Sequence, residues 1–254
     1  RINEVSISTA NRVFSLRITF THPDLGNRYS IDIVSPINMD VTMAIDGGES
    51  DSGGSGGGEE EPSTSFMKGS DWWTSEYDKQ SVTSIVTKSD LSVPSTAVYS
   101  WDVSVAGDGS VMAYLEDDGS GNGTYKVTIG GNGKIIANAN SAHLFNYFKN
   151  IQVLNISNLD TSNVTDMSFM FRYCEKLTEL DLSGFDTSNV TNMRYLFEEC
   201  RGLTKINLSS FNTSNVTNMS HIFSDCRSLV SLDLNNFDTS NVTEMDYIFN
   251  DCRS

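Results

Sequence analysis

The chain has 254 residues, enough for one or two domains, and its 33 acidic against 17 basic side chains give a formal net charge of −16 at pH 7. A surface of this charge repels phosphate, so the composition argues against nucleic-acid binding. No apolar stretch approaches the roughly 20 residues that cross a bilayer, so we expect no membrane span. Residues 1–10 lack the features of a signal peptide, and we expect the chain to be a trimmed fragment.

The N-terminal segment, 1–46, contains three runs with the β-branched alternation of strands, at 12–20, 29–34 and 39–45. About 46 residues are marginal for independent folding. We therefore expect a small all-β module that is either a fragment of a larger β-domain or an assembly interface for a partner chain.

A stretch rich in Gly, Glu and Ser follows at 47–65. This composition cannot bury apolar surface, so the sequence predicts a flexible linker. It separates the N-terminal module from the rest of the chain.

Residues 66–150 are predicted to form a β-rich cap, with short strands joined by Gly-containing turns such as Asp108-Gly109 and Asn132-Gly133. The predicted strands are 82–87, 98–105, 111–115, 124–129 and 134–137. The loop that begins at Asp118 matches the start of a calcium-binding loop, but Ile129 stands where a bidentate Glu is needed, which favours a hairpin. Trp72 and Trp73 suggest an aromatic ligand platform or, as we favour, packing within the cap.

Four cysteines, spaced by 26 residues, reveal an internal repeat. The units are 151–176, 177–202, 203–228 and 229–254, and each contains the string TSNVT followed at fixed offsets by Met, Phe and Cys. Residues 144–151 align at the same offset, with Phe148 in the position of Cys, so a degenerate half-repeat precedes the first unit. The repeat ends with the last residue, so we expect further repeats or a covering partner beyond it.

Two periodicities divide each unit. Leu177, Leu180 and Leu182 alternate with polar residues as in a half-buried strand, whereas the apolar positions from Val190 to Cys200 follow the spacing of one helix face. The sequence therefore predicts an α/β repeat solenoid of the leucine-rich-repeat type, with parallel strands and short helices, after the β-rich cap and the N-terminal β module.

Two invariant columns are expected to be structural. We expect the turn asparagines to use buried amides to satisfy backbone groups of neighbouring units; they are Asn163, Asn189, Asn215 and Asn241. We expect the cysteines to form a buried ladder of reduced thiols, although the distance between adjacent units does not itself exclude disulfides. They are Cys174, Cys200, Cys226 and Cys252.

The motif L-x-x-L-x-L-S-x-F-D-T-S-N-V-T-x-M-x-x-x-F-x-x-C at 177–200 resembles the 26-residue repeat of BspA-like bacterial surface proteins. This DUF285-like repeat also occurs in mycoplasma lipoproteins and some phage-encoded proteins. The resemblance covers 151–254 closely, and part of the preceding segment, 97–138, is similar as well. It implies surface display and adhesion without catalysis, and it implies no particular ligand.

We therefore expect a non-catalytic extracellular adhesion or recognition module on a bacterial surface, with a protein or glycan of a host or neighbouring cell as partner. The alternative is a structural or receptor-binding component of a phage-like particle, anchored by 1–46. Only three histidines are present, and they share no spacing that would build a catalytic or metal site, so we expect no cofactor and no metal.

The candidate binding residues lie between the inward leucines of the predicted strands, where side chains face solvent and vary between units. They are Glu179, Asp181, Ser183, Lys205, Asn207, Ser209, Ser231, Asp233 and Asn235.

Overall fold

The structure is a computed structural model that describes strand segments 2–10, 13–21 and 28–36, residues 65, 66 and 69, and residues 71–253. The chain divides into two compact units, Arg1–Gly56 and Gly57–Ser254. The predicted strand at 39–45 lies outside the described residues, and so does the predicted linker apart from Ser65.

The first unit contains a three-stranded antiparallel sheet in the order β1-β2-β3. Its strands are β1 (Ile2–Ala10), β2 (Val13–Thr21) and β3 (Arg28–Pro36). The predictions for β2 and β3 are confirmed. Strand β1 is not among the predicted strands, although Val5, Ile7 and Thr9 alternate with polar residues.

A five-stranded mixed sheet, in the order β5-β6-β7-β4-β9, forms the cap of the second unit. Its strands are β4 (Val82–Lys88), β5 (Tyr99–Asp102), β6 (Val111–Asp117), β7 (Tyr125–Gly131) and β9 (Val153–Asn155). Strands β5, β6 and β7 are antiparallel, while β4 runs parallel to both β7 and β9. Ile85, Leu115 and Ile129 are completely buried in its core. The predicted cap strands are confirmed.

Two short parallel pairs complete the strands of the second unit. They are β8 (Ile135–Ile136) with β10 (Leu159–Asp160), and β11 (Glu179–Asp181) with β12 (Lys205–Asn207). The pair β11–β12 joins equivalent positions of consecutive repeat units, because Glu179 is opposite Lys205 and Asp181 is opposite Asn207.

The repeat units form successive coils that stack in register. We number the coils 1 to 4 from 151–176 to 229–254. Parallel bridges connect equivalent residues of every consecutive pair, starting from the half-repeat: Asn140, Asp166, Asn192, Asn218 and Glu244. The half-repeat therefore forms the first layer of the stack, and the cap is continuous with the coils.

The predicted α/β solenoid with short helices is wrong. The one helix among the described residues is a 3-10 turn at Lys79–Ser81 in the cap, and the second half of each coil is a run of turns. The reason is that the backbone N–H groups of these segments donate to the next coil. The N–H groups of Met167, Phe169 and Phe171 donate to the carbonyls of Asn192, Arg194 and Leu196 in the next coil, each at 3.0 Å. An α-helix would need these groups for bonds within the coil.

Each of these turn segments places two non-glycine residues in the left-handed region. In coil 2 they are Tyr195 and Glu199, with φ of 57° and 63°, and the equivalent residues of the half-repeat and the other three coils do the same. Such a conformation costs an L-residue about 1–2 kcal/mol. The hydrogen bonds to the neighbouring coils require it, so the stack holds a backbone that no isolated coil would adopt.

The core is a set of columns in which the same residue type recurs from coil to coil. Phe145, Phe171, Phe197 and Phe223 are completely buried, and their rings stack at centroid distances of 5.8, 5.6 and 5.4 Å. The equivalent Phe249 in the last described coil is 51 % exposed, because no further layer covers it. Burial of the apolar column thus depends on a neighbour at each face.

The positive φ of Tyr195 gives a test that separates turns from a helix. In a helix Tyr195→Gly would be less stable than Tyr195→Ala by about 1 kcal/mol. Here we expect the opposite order, because glycine relieves the strain that alanine retains. Urea unfolding measures the difference. The control pair is Glu198→Gly and Glu198→Ala, at a residue of ordinary φ, where alanine should be the more stable. The same order at both positions would contradict the turn assignment.

Candidate binding surface

An open groove of about 710 Å³ crosses the strand side of coils 1 to 3. We call it the strand-face groove. Its floor includes the buried Leu154, Leu180 and Phe185, and its walls carry polar side chains from β9, β11 and β12. An apolar floor with polar walls is the usual composition of a ligand-binding surface.

The groove lies where the backbone hydrogen bonds between the strand segments of consecutive coils are interrupted. The backbone N–H of Gln152, at the start of coil 1, donates to the carbonyl of Thr83 in the cap at 2.8 Å, and β9 pairs with β4. The equivalent N–H of Thr204 instead donates to Thr178 of the preceding coil at 2.9 Å. Recruitment of coil 1 into the cap sheet therefore leaves β9 and β11 unpaired with each other among the described strands.

A second groove of about 690 Å³ continues this surface toward the cap. It shares Gln152, Val153 and Thr178 with the strand-face groove and extends to the loop at Asp118. The Asp118 carboxylate accepts hydrogen bonds from the Thr124 hydroxyl, from Ser120 and from the Thr83 hydroxyl, and these bonds, that from Thr124 above all, hold its pKa below the ordinary range. The loop is thus the β6–β7 hairpin, and no group of metal-ligating side chains gathers in the described parts of the chain.

The predicted binding residues divide into two groups. Glu179, Asp181, Ser183, Lys205 and Asn207 line the strand-face groove. Ser209, Ser231, Asp233 and Asn235 are exposed but lie outside it, and no strand forms in coil 4.

Several of these side chains are occupied by local turns. The side-chain oxygens of Asp181, Asn207 and Asp233 accept the backbone N–H two residues further on, at 3.0, 3.2 and 3.1 Å. This Asx turn follows the ends of β11 and β12, and coil 4 has the same turn without a strand. The bond from Ser183 is the main reason that the pKa of Asp181 is lowered.

Several other exposed groove side chains have no such role, among them one amide and two charged groups. Gln152, Glu179 and Lys205 form no side-chain hydrogen bond or ion pair with the described residues, even though Glu179 and Lys205 are opposite each other across β11 and β12. Neither charge is held in an ion pair, although the Lys205 charge contributes to the lowered pKa of Asp181 after the bonds from Ser183. Val153, 52 % exposed, adds apolar surface beside them.

The turn asparagines connect neighbouring coils, but they are exposed rather than buried. The side-chain amides of Asn189, Asn215 and Asn241 donate to the carbonyls of Ser162, Ser188 and Ser214 in the preceding coil at 2.7–2.8 Å. Asn163 occupies the same place in coil 1 and is also exposed.

A buried polar column that the sequence analysis missed lies two residues before these asparagines. The Thr187 hydroxyl donates to the carbonyl of Asn212 at 3.0 Å and accepts the N–H of the same residue at 2.8 Å. Thr161 and Thr213 form the same pair of bonds with the next coil, and all three are almost fully buried. The invariant TSNVT string carries the signal, because its first Thr recurs as strictly as its Asn.

The four cysteines are free thiols, and none forms a disulfide. Each Sγ donates to the carbonyl of a core Phe in the preceding coil, at 3.2–3.4 Å. Burial raises the pKa of Cys174 to about 12 and raises those of Cys200 and Cys226 as well. A thiol with a raised pKa is a poor nucleophile, so this column is suited to packing.

A second column that the sequence analysis missed consists of rings at the surface. His143, Phe169, Tyr195, His221 and Tyr247 all have positive φ, and consecutive rings stack at 4.5–4.9 Å. Alignment of the units would have revealed an aromatic or His residue two positions before each core Phe.

In the cap, by contrast, the indole N–H of Trp72 donates to Leu144 and that of Trp101 donates to Trp72, so the tryptophans are packing residues.

Part of the chain matches a known protein family. Residues 139–254 match the family described as "Mycoplasma protein of unknown function, DUF285", which confirms the resemblance predicted from the repeat. The match indicates a bacterial, surface-type repeat protein. No curated protein and no solved structure matches the chain. In the described residues no helix has the length and hydropathy to cross a lipid bilayer.

Loss of the buried threonine bonds should destabilise the stack. Thr187→Val keeps the shape but leaves the N–H and C=O of Asn212 without partners, so we expect a loss of about 1–3 kcal/mol in unfolding free energy. Thr191→Val is the control, because Thr191 is exposed and its hydroxyl makes one bond, to Thr165. Equal losses in the two variants, measured by urea unfolding, would show that burial of Thr187 is unimportant.

The cysteine column predicts loss of stability at alkaline pH. The folded-state pKa values of the buried thiols lie above the ordinary value of 9.0, so their contribution is present below about pH 9 and is lost as the pH rises. Each thiol that ionises on unfolding lowers the unfolding free energy by up to about 1.4 kcal/mol per pH unit. Unfolding in a reducing buffer between pH 8 and 10.5 measures this slope.

Two variants separate the contributions to that slope. Cys200→Ala should reduce the slope of unfolding free energy against pH by the contribution of one ionising thiol. Burial lowers the pKa of Lys79 to about 8, which has the opposite sign, because stability rises while the unfolded Lys79 loses its proton. Lys79→Met should therefore steepen the alkaline loss. An unchanged slope in Cys200→Ala would contradict the buried-thiol explanation.

Proposed function

We propose that this protein is a non-catalytic recognition module, displayed on a bacterial cell surface, that binds a protein or glycan of a host or neighbouring cell. The observation that carries the proposal is the strand-face groove, in which Gln152, Glu179 and Lys205 are exposed and form no side-chain hydrogen bond or ion pair with the residues that the structure describes. The surrounding columns use their polar groups to hold the stack together. These three residues do not, so they are available for contacts with a partner.

The shape of the groove favours a ligand with several linked units. The two grooves together extend from the Asp118 hairpin across β9 to β12, perpendicular to the run of each coil. A small metabolite would fill only a fraction of this open surface. A peptide segment or an oligosaccharide would contact several coils at once, and each coil would contribute different side chains.

The chemistry of the other groups supports a binding role over a catalytic one. Three of the thiols are buried in the core, and the fourth, Cys252, is partly buried with a raised pKa. The ring of His143 is stacked on Phe169, and burial, followed by the nearby Arg172, lowers its pKa. The groove residues instead offer hydrogen bonds and opposite charges, which provide specificity.

The experiment uses the full chain against arrays of immobilised glycans and purified cell-surface proteins, followed by titration of any hit. The double variant Glu179→Gln, Lys205→Met should weaken binding at least about tenfold, which corresponds to about 1.4 kcal/mol. The control is Ser231→Ala, Asp233→Asn in coil 4, outside the groove; Ser231 is in the column of Glu179 and Lys205, and Asp233 is in the column of Asp181 and Asn207. Circular dichroism checks that both variants fold.

Two results would contradict the proposal. One is a hit that the groove variant binds as well as the parent protein does, or that the control weakens equally. The other is an array of glycans and proteins with no saturable binding to the parent chain.

A further inference from the structure

The register of the N-terminal sheet divides the residues of β1, β2 and β3 between two faces. Successive residues of a strand alternate between faces, and residues opposite each other in an antiparallel pair share a face. Leu16 of the central strand is opposite both Ile7 and Ile33. The rows that share this face are Ile2–Phe20–Tyr29, Val5–Ile18–Ile31, Ile7–Leu16–Ile33 and Thr9–Phe14–Ser35. We call these twelve positions the apolar face.

The charged residues of the three strands all lie on the opposite face. They are Glu4, Arg17, Arg28 and Asp32, which the register places in rows with Ser, Thr and one another. Ten of the twelve positions on the apolar face are aliphatic or aromatic, and the other two are Thr9 and Ser35. A face of this composition suits another apolar protein surface, because it offers almost no hydrogen bonds to a glycan or an ion.

The first compact unit provides no second layer for this face among its described residues, which form the three strands alone. The ten residues 37–46 supply at most one strand, whereas the face is three strands wide. Residues 47–56 consist of Gly, Ser, Glu and Asp, so they bring no apolar side chain to cover it.

A second copy of the same face has the size that a stable interface needs. The face measures about 27 by 14 Å from the rise and spacing of β-strands. Ten buried apolar side chains, at roughly 60–120 Å² each, amount to about 600–1,200 Å² per copy. A standard stable interface buries about 800 Å² per partner.

Charge also favours a second copy as the partner. Residues 1–36 contain four Arg and three acidic residues, a formal net charge of 4 − 3 = +1, whereas the whole chain carries −16. Two copies therefore meet at this sheet with little of the like-charge repulsion that the rest of the chain would produce. Sheets with one apolar face commonly pack face to face, about 10 Å apart.

We propose that the apolar face of β1, β2 and β3 is a homodimer interface, against which the same face of a second copy packs. A two-fold axis at the centre of the face places β2 of one copy over β2 of the other, so that Leu16 lies near the middle of the interface. The proposal is independent of the strand-face groove, which lies in the other compact unit.

The test is analytical ultracentrifugation of the full chain between about 1 and 100 μM. We expect a concentration-dependent species of twice the chain mass of 27.9 kDa. Leu16→Lys puts a charge at the centre of the face and should weaken dimerisation at least about hundredfold. The matched control is Ser15→Lys, the same new side chain on the opposite face of the same strand, which should leave the dimer unchanged.

Two further measurements place the interface and allow for misfolding. Copies labelled at Ile methyl groups are mixed with copies labelled at Leu and Val methyl groups, and we expect intermolecular NOEs between Leu16 and the isoleucines of the apolar face. If far-UV circular dichroism shows that Leu16→Lys loses the sheet, Leu16→Ala replaces it, with an expected weakening of about tenfold or more.

Four results would overturn the proposal. The first is a parent chain that stays monomeric at 100 μM, since another surface would then cover the face. The second is equal weakening by Leu16→Lys and Ser15→Lys. The third is a dimer that Leu16→Lys leaves intact and Phe249→Lys disrupts, which would place the contact at the last coil. The fourth is a dimer without intermolecular NOEs to Leu16.

Discussion

The structure depends on hydrogen bonding between coils in exact register, with each donor paired to an acceptor one repeat away. Because the repeat is invariant in length, the N–H groups of the turn segment meet the carbonyls of the next coil in the same way at every layer. These bonds compete with those of a helix, and they dominate. The positive φ values, the ring columns and the exposed face of the last described coil all follow from this one constraint.

The hydrogen bonding between coils also explains which residues recur from repeat to repeat. Each of these recurring positions contacts a neighbouring coil: Thr187 and Met193 bond to the next coil, and Asn189, Phe197 and Cys200 contact the preceding one. A change in one copy would disturb two interfaces. Ten non-glycine residues are in the left-handed region for the same reason, since every one of these turns is bonded to at least one neighbouring coil.

Much of this architecture could be predicted from the sequence. The period, the apolar columns, the cap strands and the parallel pairing of Glu179–Asp181 with Lys205–Asn207 follow from spacing and alternation. The helix could not be excluded in that way, because Val190, Met193, Phe197 and Cys200 satisfy a helical spacing as well as a stacked series of turns. Only the destination of the backbone N–H groups separates the two, and that depends on the neighbouring copy.

The candidate sites were harder to predict, for a related reason. Asp181 and Asn207 look like exposed binding residues in sequence, but each side chain also accepts a local N–H. Glu179 and Lys205 look like many other surface charges until their lack of an ion-pair partner among the described residues is compared with the pairing of Arg172, Arg201 and Arg227. These residues are distinguished by whether the side chain has a hydrogen-bond or ion-pair partner, not by whether it is exposed. Only the three-dimensional structure shows which side chains have such a partner.

Candidate functional residues in this stack are therefore those whose side chains take no part in the hydrogen bonds between coils. A column in which every member bonds to its neighbour is constrained by folding, whatever its polarity. Glu179 and Lys205 are in a column whose members differ in charge from coil to coil, and each lacks a hydrogen bond or an ion pair from its side chain to the described residues. Among the described residues these charges take no part in the hydrogen bonds and ion pairs that hold the coils together, and this is the observation on which the proposed binding role rests.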